Sequence, residues 1–68
     1  MNGLKKRIDD AGVKYSWLAK RMGITREALY KKLAGVHEFK ASEIGVLIDV
    51  LHLSPKEQHA YFFANDSD

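Results

Sequence analysis

Apolar residues recur along this chain at helical intervals and never alternate for long enough to suggest a strand. Leu4, Ile8 and Ala11 follow spacings of four and three, one stripe of a first helix, with Gly12 as its stop. A second helix is expected over Tyr15–Met22, with Leu18, Ala19 and Met22 facing inward. A third runs from about Arg26 to Ala34, burying Leu29 and Leu33, with Gly35 beyond its end. Val36–Lys40 lacks a helical period and reads as a loop anchored by Phe39. Ile44, Leu47, Ile48 and Leu51 then mark a fourth helix at i, i+3, i+4, i+7. Gly45 inside it costs about 1 kcal/mol of propensity and is expected to admit a neighbouring helix closely. Ser54-Pro55-Lys56-Glu57 opens a fifth, with Ser54 capping, Glu57 reaching back and Pro55 at the first helical position. Ala60-Tyr61-Phe62-Phe63-Ala64 continues it, and residues 65–68 form an acidic end. The pattern predicts an all-α domain of five helices over residues 1–64 with a short tail.

The junction between the second and third helices carries the most information. Ala19 stands four residues before Gly23, so a small side chain faces the place where the helices cross. Gly23 can take the positive φ of a left-handed cap, and the Thr25 hydroxyl can cap the next helix. Leu18, Met22, Ile24 and Leu29 supply the buried faces. Two helices joined this way project the second one outward, where it can enter a DNA major groove. Lys14, at the cap of the second helix, has no short oxygen side chain, a weakness of about 1 kcal/mol against Ser or Thr.

Charge sharpens that picture. The net charge is only +2, but residues 1–40 hold ten Lys/Arg against four Asp/Glu, a balance of +6, while residues 41–68 stand at −4. The basic part contains the helix pair, which points to a polyanionic partner; the bland alternative is a cluster of solvated lysines. At 68 residues the chain is a single domain, and a domain this small buries only about 60% of its unfolded surface. It has no cysteine, which rules out a disulfide scaffold and Cys-based zinc ligation. No apolar run approaches the roughly 20 residues of a membrane span, and Met1–Lys6 lacks the apolar core of a signal peptide, so a soluble, cytoplasmic protein is expected.

Residues Gly12 to Ser54 resemble the lambda-repressor-like, or Cro/C1-type, helix-turn-helix family. Gly12-Val13, Leu18-Ala19, Gly23-Ile24-Thr25-Arg26, Leu29 and Gly35 fall on its motif positions. Leu51-His52-Leu53-Ser54 resembles the Leu-Gly-Val-Ser that ends its fourth helix, and Tyr61-Phe62-Phe63-Ala64 is similar to the ending of small phage and prophage Cro-like regulators. The resemblance covers about 50 residues and implies a transcriptional regulator, most simply a repressor, that binds double-stranded operator DNA as a homodimer in a bacterial host. Three positions depart from it. Tyr15 stands where the family often has a glutamine that contacts the DNA backbone. Lys14 replaces the capping Ser or Thr, and Lys32 stands where an apolar residue supports the recognition helix. Leu33 is expected to take over that support, rotating the helix slightly.

With Leu29 and Leu33 inward, Arg26, Glu27, Tyr30 and Lys31 form the outer face of the third helix. Arg26 suits guanine O6 and N7, Glu27 suits cytosine N4, and Tyr30 suits phosphate, sugar or a thymine methyl. Lys14, Tyr15 and Ser16 open the second helix, whose amide groups suit a phosphate; Thr25, Lys31 and Lys40 complete the candidate DNA face. Trp17 is expected to pack against the first helix or the loop. Val36, His37, Phe62 and Phe63 are candidates for contact with a second copy; the competing reading has the aromatic end closing the monomer core. His37, His52 and His59 have no metal-ligand spacing, no cofactor is implied, and no catalytic constellation stands out. The alternatives to an operator-binding regulator are an antitoxin-like autoregulator, the severed domain of a longer repressor, or a protein-binding adaptor. The capped fifth helix and acidic ending favour a complete small protein over a fragment.

Overall fold

The computed structural model describes residues 3–63. The expected acidic tail, with Ala64, lies outside the described residues. Five helices follow in order: α1 (Leu4–Ala11), α2 (Tyr15–Met22), α3 (Arg26–Leu33), α4 (Ala41–Leu51) and α5 (Pro55–Gln58), the last running into a π-helical turn, His59–Phe63. Among the described residues there is no strand.

Each of the first four helices sends leucines or isoleucine to a common centre. Leu4 and Ile8 come from α1, Leu18 and Ala19 from α2, Leu29 and Leu33 from α3, Leu47 and Leu51 from α4, and Leu53 follows α4. Half-buried Val13, Met22, Ile24, Phe39, Val46 and Ile48 pack against them. Ala11 does not complete the α1 stripe and is exposed: α1 stops one residue later, at Gly12, beyond the reach of the core. Gly45 also serves no close approach. A Cβ there would meet nothing within 4 Å, so the expected helix contact is absent.

The α2–α3 junction is built as the sequence suggests. Gly23 adopts φ +75°, its amide donates to Lys20 O, and the Ile24 amide donates to Ala19 O at 3.0 Å. This pair of bonds satisfies the last carbonyls of α2 while reversing the chain. Nothing lies within 4 Å of a Cβ at Gly23, so backbone conformation rather than crowding calls for glycine. Thr25 Oγ1 then accepts from the Ala28 amide at 3.0 Å and starts α3. Lys14 provides no side-chain cap to α2.

At the other end of the chain, Ser54 and Glu57 exchange two bonds, Glu57 N–H to Ser54 Oγ and Ser54 N–H to Glu57 Oε1, both 3.1 Å. Arg7 ties α1 to this corner: Nε donates to Glu57 Oε2 at 2.9 Å and Nη2 to Leu51 O at 2.7 Å. Ser54's amide and then Arg7 hold the Glu57 carboxyl below its ordinary range.

Candidate nucleic-acid interface

α3 buries Leu29, Lys32 and Leu33. Arg26, Glu27, Tyr30 and Lys31 are exposed, as the periodicity requires. Tyr15 at the start of α2 meets Tyr30 edge to face, ring centroids 5.2 Å apart. That contact joins the N-terminus of α2 to the outer side of α3 as one surface, on which Lys14 and Ser16 are also exposed. Thr25 is exposed as well, its hydroxyl oxygen already accepting from the Ala28 amide. Lys40 is exposed at the cap of α4.

The cations of this protein divide into two groups. Lys5 pairs with Asp9, Lys6 with Asp10, Arg7 with Glu57, Arg21 with Asp49 and Lys32 with Glu43. Among the described residues, Lys14, Arg26, Lys31 and Lys40 are in no ion pair. Of the ten cations of residues 1–40, five are thus paired, three of them on α1, and four of the remaining five lie on the candidate surface. Lys20 and Lys56 are also exposed and, among the described residues, in no ion pair.

Tyr15 is committed within the molecule. Its hydroxyl donates to Asp9 Oδ1, and Lys5 Nζ lies 5.5 Å from its ring centroid. The bond from Tyr15 holds the Asp9 carboxyl below its usual range; burial, followed by the same bond, raises the phenol. With its one proton engaged, Tyr15 cannot donate to a phosphate as a glutamine would.

Trp17 is 47% exposed, with the Arg21 guanidinium 5.5 Å from its ring centroid one turn along α2. Leu33 joins the core as expected, and Lys32 beside it is buried as well, at i+4 and i+3 from Leu29. Lys32 reaches Glu43 Oε1 at 2.5 Å, and the same oxygen accepts the Lys40 amide at 2.8 Å. Glu43 escaped the sequence reading because nothing local marks a carboxylate whose partner lies eleven residues earlier.

The two candidate regions for self-contact prove to be neighbours. His37 and Phe62 line one groove of about 300 Å³, together with Phe39 and Tyr61. Phe62 is half-buried against Phe39, ring centroids 6.1 Å apart, and so closes the monomer core. Phe63 and Val36 remain 60% and 63% exposed. Among the described residues no group of three or more His, Cys, Asp or Glu is placed to hold a metal ion. No helix there is long and apolar enough to cross a membrane.

The class these observations define is a small all-helical domain. The chain belongs to the family described as protein of unknown function DUF739, whose model matches residues 2–65. No curated protein and no solved structure matches it.

Proposed function

We propose that the domain binds duplex DNA, as a sequence-specific transcriptional regulator of the phage Cro or repressor type. The observation that carries this reading is the segregation of charge. Among the described residues, four of the six cations in no ion pair, Lys14, Arg26, Lys31 and Lys40, flank a solvent-facing helix whose other side is locked into the core. An exposed helix rimmed by free cations matches a major groove flanked by phosphates.

In this reading Arg26 and Glu27, in the first turn of α3, address base edges. Tyr30 and Lys31 follow the groove wall, while Lys14, Ser16, the α2 amides and Lys40 meet phosphates. Tyr15 supports Tyr30 from behind instead of touching the backbone itself. Occupancy of an operator is the regulatory act. One such helix reads few base pairs, and each mismatch costs only about 1–3 kcal/mol. Two copies related by a two-fold axis would place their reading helices about 34 Å apart on one face of the duplex. Phe63 and Val36, beside the groove, are the surface for that pairing.

Selection from a random duplex library at fixed salt tests the function and its symmetry together. The expected outcome is an enriched pair of inverted half-sites. A library that remains unenriched, with no binding to duplex even at low salt, would overturn DNA recognition and favour a protein-binding adaptor.

A further inference from the structure

Lys32 and Glu43 form an ion pair whose side chains are only 9% and 3% exposed. Lys32 lies in the last turn of α3, on the stripe opposite Tyr30 and Lys31. Glu43 lies in the first turn of α4. One oxygen, Glu43 Oε1, receives both the Lys32 ammonium and the Lys40 amide. The carboxylate thus ties the end of α3 to the start of α4 across the non-helical connection between them. Among the described residues no buried side-chain nitrogen or oxygen lacks a partner, so the pair is satisfied where it stands.

Net stability does not explain this arrangement, because well-packed apolar side chains of similar volume commonly serve as well as a buried pair, or better. Geometry does. Leucine against leucine tolerates sliding and rotation, whereas a charge-assisted hydrogen bond inside a low-dielectric core is directional, and a misplaced partner leaves a buried charge exposed to its full desolvation cost. We propose that Lys32 and Glu43 are positioning residues for recognition: neither touches DNA, and together they fix the pose of α3 and the place of Lys40, so that Arg26 and Glu27 address bases in one register while Lys40 meets its phosphate. This inference rests on the DNA-binding reading.

The test compares the wild-type chain with a Lys32→Met/Glu43→Gln double variant, in which Gln keeps an oxygen for the Lys40 amide. Each is titrated with the duplex selected by the wild type and with a scrambled duplex at the same salt. The double variant is expected to melt cooperatively, to hold its affinity for the scrambled duplex within about twofold, and to lose at least tenfold of its discrimination. A folded double variant that discriminates as the wild type does would overturn the proposal. Lys32→Arg covers the case in which the double variant fails to fold. It preserves the charge but imposes a planar fork on the pair, and is expected to shift discrimination at least threefold with unchanged melting; unchanged discrimination would again overturn it. If the wild type selects no duplex, the functional reading has failed, and the amide chemical shifts of Arg26–Gly35 decide the positioning claim without DNA. Shifts in Lys32→Arg concentrated on α3 and the start of α4 support it, and a spectrum unchanged there overturns it.

Discussion

His52 holds φ +53° at the end of α4, a left-handed conformation in which its side chain crowds the backbone. The next amide, Leu53 N–H, donates to Ile48 O at 3.2 Å, so the turn is needed to bring Leu53 back into the core. Replacing His52 with Gly removes the crowding and is expected to stabilise the domain by about 1 kcal/mol, raising Tm by roughly 4–8 °C in thermal circular dichroism. An unchanged or lower Tm would mean that the imidazole makes contacts worth more than the strain. Arg26 gives the complementary functional prediction. It is exposed and has no acidic partner among the described residues, so Arg26→Ala should leave Tm alone and cost about 1–3 kcal/mol on the best duplex, relaxing preference at one base pair. A uniform loss over all sequences would reassign Arg26 to a phosphate.

At the scale of the element, α3 depends on its buried carboxylate partner. Burial pushes the Glu43 carboxyl up, but the bonds from Lys32 and the Lys40 amide, with the charges of both lysines, outweigh it and leave the carboxyl below its ordinary value of 4.5. The folded state therefore binds this proton less readily than the unfolded chain. Its contribution to stability is present at neutral pH and is lost as the pH falls below about 4.5 and through the lower folded value. Glu57 adds to the same trend. Glu43→Ala, which strands the Lys32 ammonium in the core, should cost about 3–5 kcal/mol at pH 7 and flatten the acid limb of a Tm-against-pH curve. A Glu43→Ala variant with wild-type acid sensitivity would contradict this assignment.

Local chemistry made the ends of these helices legible. Gly23 and Thr25 mark the α2–α3 turn, Ser54 and Glu57 mark the start of α5, and in each case the bonds their side chains and backbone can make are the ones observed. The outer face of α3 followed from Leu29 and Leu33 alone. Partners distant in sequence were not legible. Arg7 reads as one more surface cation until Glu57 and the Leu51 carbonyl are brought beside it, and Lys32 reads as a flaw in an apolar stripe until Glu43 arrives. The π-helical turn at His59–Phe63 carries no periodic signal that separates it from a continuation of α5.

On the scale of the whole molecule, five cations are paired internally and, among the described residues, six are in no ion pair, four of them on the candidate surface. Exposed Phe63 and Val36, next in sequence to Phe62 and His37 of the groove, are the surface proposed for a second copy. Phe63→Ser should reduce cooperativity on a two-half-site duplex while leaving non-specific binding unchanged; sedimentation of a saturated complex with one chain per site would contradict the paired arrangement. The most direct test of the central claim is the salt dependence of binding to the selected duplex. Neutralising about four phosphates per domain predicts a log–log slope near −3.6 per domain, by counterion release. Lys31→Ala and Lys40→Ala should each reduce the slope's magnitude by about 1. A slope near zero, or one unmoved by removing these lysines, would contradict the account.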